Sequence, residues 1–324
     1  MAVSFITSEQ VCPVIPVGNF SMRLGIFIPT PYRSYDRIQS ALWIRALQLV
    51  DCFKADGIDV SVNNPFRRYD VAIYHRGMQR KSLRFVRFLR SISARVYWDT
   101  CVDYFETHEA ANNEQVACAR AIAGSVDGVC VPTEGIAQSA RRHNGNVFVM
   151  PDPVDLDHFF GYKESVDFAR PTFGWSGVAC KAGFLNRYAG FLDGRMVIVS
   201  EQPPSLSFRY HFVPWTYDSF PSALRACDIA FLPRTLDSTY TANNSSFKAL
   251  VYAVQGIPIV ANRLPSYELM SADYAALAFL EDCGDSPQAA VDALAGKDRD
   301  PARLRRAYDR RLWARRLAGW LQGE

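Results

Sequence analysis

The chain has 324 residues, of which 49% are hydrophobic, 21% charged and 13% aromatic. This length favours two domains with roughly 75% of the chain's surface buried, and excludes a small disulfide-stapled module or a low-complexity polymer. With 36 basic against 33 acidic residues the net charge is +3, too near balance to mark a nucleic-acid-binding protein.

Residues 1–21 show no clear periodicity and lack the charged start and apolar centre of a signal peptide, so they read as an extension ahead of the first strand. Short β-rich runs then recur at 24–28, 59–62, 71–74, 95–98, 128–131 and 147–150. Between them lie helical patterns, the clearest being Ile38, Leu42, Ala46, Leu49 and Phe53, one apolar stripe that stops at Gly57. The scheme repeats with runs at 172–175, 196–200, 210–213, 229–232, 258–261 and 277–280. Strands alternating with helices predict an α/β protein with two Rossmann-like halves, each a parallel sheet covered on both faces. Two prolines in Pro151-Asp-Pro153 break the chain after the sixth strand, so 151–170 reads as linker. The domains expected are 22–160 and 161–302, with 303–324 as a closing helix. No apolar run approaches the roughly 18–20 residues that span a bilayer. Eight scattered cysteines without a CxxC pair predict neither a metal cage nor a disulfide framework, and a reducing cytoplasm as the compartment.

Ligands of open α/β sheets sit beyond the carboxyl ends of the strands. Neither a GxGxxG fingerprint nor a Walker A loop follows either first strand, which argues against a dehydrogenase or a P-loop enzyme. The loop Gly174-Trp-Ser-Gly177, with Lys181 just beyond, reads either as a diphosphate cradle or as a tight turn with a surface lysine. Asn243-Asn-Ser-Ser-Phe-Lys248, followed by a helix ending at Gly256 and by Pro258-Ile-Val-Ala261, reads as a capped helix or as a second anion site.

Helix–Gly-x-Pro-Ile-Val resembles the donor region of retaining, nucleotide-sugar-dependent GT-B glycosyltransferases. Asp127-Gly-Val-Cys-Val-Pro-Thr-Glu with Val149-Met-Pro-Asp-Pro-Val-Asp-Leu-Asp-His-Phe159 is similar to that family's closure of the amino-terminal domain, and Phe212-Val-Pro-Trp215 with Leu224-Arg-Ala-Cys-Asp-Ile-Ala-Phe-Leu-Pro233 to its strand–helix–strand before the donor loop. The resemblance spans nearly all of 22–322 and implies a GT-B fold and a glycosyltransferase of the hexosyltransferase kind. Its co-substrate would be a nucleotide sugar, with no cofactor and no metal. The acceptor would be a saccharide or a lipid-linked sugar, as in cell-surface polysaccharide or glycoconjugate synthesis. It implies donor contacts from Gly174, Ser176, Gly177, Lys181, Trp215, Arg234, Asn244, Ser245, Ser246 and Lys248. Asp99 falls where related enzymes often carry a His facing the donor sugar, and Asp103 reads as its partner or as a helix cap; His75 reads as a catalytic or a structural histidine, Arg76 beside it as an acceptor contact, and Tyr32, Arg33 and Arg37 as acceptor contacts or as a polar surface loop. The chain departs from the family where many members carry Glu-x7-Glu: Asn243 and Val251 stand there. Two other readings compete: a GT-B scaffold that binds a nucleotide sugar or glycan without transfer, and an exported two-domain binder, which needs a signal segment.

A basic run, Arg80, Lys81, Arg84, Arg87 and Arg90 with Arg95 beyond it, interleaves with Leu83, Phe85, Val86, Phe88 and Leu89. It reads as a solvated helix face over a sheet, or as a patch for anionic lipid on the inner face of the plasma membrane. The arginine-rich closing helix reads as packing its apolar stripe on the amino-terminal domain.

Overall fold

The structure, a computed structural model, describes residues 22–29, 40–108, 111–234 and 238–323. Tyr32, Arg33, Arg37 and the 1–21 extension lie outside these residues.

Twelve strands occur among the described residues: β1 Arg23–Phe27, β2 Asp59–Val62, β3 Tyr69–His75, β4 Ser93–Asp99, β5 Gly128–Val131, β6 Val147–Val149, β7 Phe173–Ser176, β8 Met196–Ser200, β9 Tyr210–Pro214, β10 Ile229–Leu232, β11 Ile259–Ala261 and β12 Leu277–Phe279. They form two sheets, ordered β2-β1-β3-β4-β5-β6 and β12-β11-β10-β7-β8-β9, and every neighbouring pair is parallel. The architecture is therefore the two-domain α/β arrangement that alternating strands and helices predict. Side chains alternate across the first sheet: Val71 and Ile73 join one apolar cluster, Ala72 and Tyr74 the other, as the two-residue period of a doubly covered strand requires.

Helix α1 runs through Ser40–Leu42, a π-helical turn Trp43–Leu47 and Gln48–Ala55, and Gly57 ends it at φ +80°. Leu42, Ala46, Leu49 and Phe53 are buried against the first sheet as their spacing predicts. The π turn itself was not foreseen. Its five residues are all buried, because Trp43 and Ile44 turn away from the first sheet and enter the core of the second domain.

Helices α2 (Arg80–Ile92), α3 (Asn113–Ala123) and α4 (Glu134–Arg141) follow β3, β4 and β5, and α5 (Phe247–Ala253) precedes β11. The closing helix α6, Arg310–Gln322, places Ala314, Leu317, Ala318 and Leu321 in the same cluster as Leu24 and Leu49 of the first domain. Its arginines are largely taken up by internal partners: Arg310 pairs with Asp155 at 2.7 Å and Arg315 with Asp56 at 3.1 Å, while Arg316 lies 4.8 Å from the Trp313 ring. No described helix is long and apolar enough to cross a membrane.

Candidate active site

In the second sheet β7, β8 and β9 run outward one way and β10, β11 and β12 the other, so the switch point, where such sheets bind ligands, lies between the carboxyl ends of β7 and β10. Gly177 follows β7 and Arg234 follows β10. Into this crevice α5 sends Lys248, whose Nζ lies 4.4 Å from the Trp175 ring centroid. Gly177 is the residue that permits this approach: a Cβ there would stand 2.8 Å from Lys248 Nζ and 2.9 Å from the Trp175 ring. Burial, and then the positive charges of Arg234 and Lys181, push the Lys248 ammonium well below its ordinary pKa. Lys181 Nζ donates to Tyr240 Oη at 2.7 Å and lies over that ring. Three cations thus converge where the fold places ligands, and the charges acting on Lys248 are both of its own sign. Such a site is unbalanced when empty and suits a multiply charged anion.

The remaining donor-side positions have partners within the protein. The turn after β7 is not a free cradle of amides: Gly177 N–H donates to Val199 O at 3.1 Å, and Ala179 N–H to the Glu201 carboxylate at 3.1 Å. Gly174 lies inside β7, where a Cβ would be 2.3 Å from Cys227 Sγ, so it is a packing position. Ser176 is buried beside Tyr252. Trp215 meets Phe220 edge-on at 6.2 Å. Asn244 Nδ2 caps back to Thr241 O at 3.2 Å, and Ser246 is buried at the start of α5.

On the opposite wall Asp99, at the end of β4, is 3% exposed, which corrects the expectation that it faces the cleft. Arg45 Nη2 and Nε donate to its Oδ1 at 2.7 and 3.0 Å, and His75 Nδ1 touches Oδ2. Burial by itself would raise this carboxyl, but Arg45 and then His75 outweigh it and hold it well below the usual carboxylate range. Arg45, enclosed on all sides, also donates through Nη1 to Met150 O at 2.8 Å and to Asp152 Oδ1 at 2.7 Å. Asp103 is buried as well: Phe105 N–H donates to its Oδ1 at 3.1 Å, and Ser139 Oγ and Asn243 Nδ2 both donate to its Oδ2 at 3.0 Å. These carboxylates and His75 are buried and engaged by protein groups.

Arg76, at the end of β3, does reach the cleft. It holds a left-handed backbone, φ +63°, rare for a long side chain and a mark of functional positions when the surroundings enforce it. Here Arg76 N–H donates to Asp99 O at 2.8 Å, while its guanidinium lies beside Tyr104 and near Tyr240. His108 stacks on Tyr240 at 4.7 Å, so an aromatic bridge joins the domains across the cleft mouth. Arg45, Asp152, His108 and Tyr240 are the site residues that sequence reasoning missed. For Arg45 a signal existed: it is the one charge in the run Ala-Leu-Trp-Ile-Arg-Ala-Leu47.

Comparison with solved structures gives matches along nearly the whole chain. AviGT4, described as a glycosyltransferase involved in avilamycin A biosynthesis, superposes with a TM-score of 0.58 at 12% identity, covering 94% of this chain and 99% of its own. An alpha-glucosyltransferase in complex with UDP gives 0.58 at 12% identity, covering 92% and 96%. A UDP-forming α,α-trehalose-phosphate synthase from Burkholderia vietnamiensis gives 0.58 at 11% identity, covering 93% and 99%. No protein-family model matches the chain, and no curated protein does. At these identities the likeness is one of fold: the chain has the GT-B architecture, two Rossmann-like domains facing one cleft.

Proposed function

We propose that the chain is a glycosyltransferase that moves a sugar from a nucleotide-sugar donor to a saccharide or lipid-linked acceptor. The observation that carries this reading is the convergence of Lys248, Lys181 and Arg234 at the switch point of the second sheet, where a diphosphate would balance them. The solved structure that holds UDP and the one described as UDP-forming share this fold and support such a donor. In transfer the bond from the anomeric carbon to the diphosphate oxygen breaks and the three cations stabilise the charge that develops there. The reading implied by the family resemblance, transfer with retention, lets the leaving phosphate oxygen take the acceptor proton, so no protein nucleophile is required. Charge neutralisation then comes from these side chains without a metal. Incubating the protein with UDP-, GDP- and dTDP-sugars and detecting released nucleoside diphosphate by mass spectrometry tests it. Release from any donor supports transfer, and release from none rejects it.

One observation favours a second reading, a GT-B protein that binds a nucleotide sugar without transfer. At the positions of the family's paired glutamates, Val251 is buried in the core and Asn243 is held by Asp103. Nucleotide binding without turnover on any donor and acceptor pair would select this alternative.

For the place of action we propose the cytoplasmic face of a membrane. On α2, Arg80 pairs with Glu114 and Arg90 with Asp127, so of the basic run Lys81, Arg84 and Arg87 are left on the exposed face, beside Phe88 at 41% exposure. Three such charges at about 1 kcal/mol each give weak, salt-sensitive adsorption. Pelleting with phosphatidylserine vesicles at low ionic strength is expected, and Arg84→Glu with Arg87→Glu should abolish it. Equal pelleting of that double variant would remove α2 from the interaction.

A further inference from the structure

The turn that presents Lys248 is held within its own domain by Ser266 Oγ, which donates to Asn244 O at 2.8 Å, and by a long contact from the Phe247 amide to Ser245 Oγ at 3.4 Å. Helix α5 is seven residues long and its N-cap, Ser246, makes no side-chain capping bond. The preceding loop is also held from the other domain and the linker. Ser245 Oγ donates to Asp152 Oδ2 at 2.5 Å, Asn243 Nδ2 donates to Asp103 Oδ2 at 3.0 Å, and Thr133 Oγ1 donates to Asn243 O at 3.0 Å. The first turn of α4 is shaped for this contact, since a Cβ on Gly135 would lie 2.1 Å from Asn243 Oδ1.

Each holding carboxylate is itself fixed. Asp103 accepts from Ser139 and from the Phe105 amide. Asp152 accepts from Arg45, which is tied in turn to Asp99 and to the Met150 carbonyl. A hydroxyl and a side-chain amide therefore meet two carboxyl groups that other bonds already hold in place. The loop carrying the donor-side cation is thus referenced to the carboxyl end of β4 and to the start of the linker, more than ninety residues away in sequence for the Asp152 contact.

We propose that Arg45, Asp152 and Asp103 are positioning residues that hold the loop 243–246 from the amino-terminal side of the molecule and thereby set Lys248 for a diphosphate; the last step rests on the donor-site reading above. None of the three needs to touch the ligand. The consequence is that donor affinity depends on how the two domains are docked.

Two measurements test it. In nucleotide-free protein, hydrogen exchange of the peptide amides across 243–250 is expected to speed up about tenfold in Ser245→Ala and in Asp152→Asn, with the double variant no faster than either single. With UDP as probe, titration calorimetry should show each single variant weakened about fivefold to tenfold and the double variant equal to the singles. Ser245→Ala removes one oxygen from a partly exposed loop, so it reports even where Asp152→Asn folds poorly. Unchanged exchange in Ser245→Ala, or losses that add in the double variant, would overturn the proposal, the latter because Ser245 would then act on the ligand directly. If the wild type binds neither UDP, GDP nor dTDP, the donor-site reading fails while the exchange result still decides the positioning.

Discussion

Lys248→Ala is expected to weaken nucleoside diphosphate binding by about 10-fold to 100-fold, the range of one or two charge-assisted hydrogen bonds lost, and to leave the melting temperature unchanged or higher. The two effects share one cause. Lys248 sits over Trp175, and its charged form is disfavoured by burial first and by Arg234 and Lys181 second, so removing the side chain relieves that cost. A residue kept at a cost to stability is the pattern of a binding group. The same electrostatics fix the sign of the pH dependence. Burial and the two neighbouring cations lower the pKa of free Lys248, and a bound phosphate would raise it again. Affinity contributed by this residue is therefore complete below the free-state pKa and falls as pH rises through it. Calorimetry over a pH series, in buffers of different ionisation enthalpy, should show proton uptake where the pH lies between the free and bound pKa values, and Lys248→Ala should remove it. Proton-neutral binding across the whole series in the wild type would mean that Lys248 does not meet the phosphates. Lys181→Ala should have the smaller effect, because Lys181 is already engaged by Tyr240.

The inner strands were legible because each is a short apolar run in a doubly covered parallel sheet, where burial on both faces leaves little else the run can be, while the edge strands β2, β6 and β9 are only partly buried. The elements that escaped are those whose environment comes from far along the chain. Periodicity places Leu42, Ala46, Leu49 and Phe53 on one face of α1, and they are buried together. It says nothing of the opposite side, which is covered by Phe159, Tyr217 and Phe247 around Trp43. Arg45 lies in the turn caught between these two surfaces, and so the lone charge of an apolar run is buried at the domain interface. Asp99 shows the same limit from the other direction. Its position at a strand end facing the second domain is visible from the pattern of strands, but its partner is 54 residues away, and that partner turns it from a cleft carboxylate into half of a buried ion pair. Lys248 was legible because its signal is local, a polar loop running into a short helix that ends at glycine.

Arg45→Met should be the most destabilising single change in the first domain, about 3–5 kcal/mol by urea unfolding at neutral pH, because it strands Asp99 and Asp152 in a buried site without their cation. In the wild type Asp99 is held far below its unfolded value of about 4, so its contribution is complete above that pH and is lost as pH falls toward the folded pKa. Without Arg45 the sign reverses for Asp99. Burial, no longer outweighed by Arg45, then raises its folded pKa above the unfolded one, so the penalty is full at high pH and shrinks as pH falls through the raised value. The stability deficit of Arg45→Met relative to wild type should therefore be smaller at pH 5 than at pH 8. Arg45→Lys should recover part of it by restoring charge without the two-sided fork that meets both carboxylates. A deficit that stays constant across this range would mean that the variant fails through packing alone, and that the pairing of Arg45 with Asp99 and Asp152 carries no net electrostatic weight.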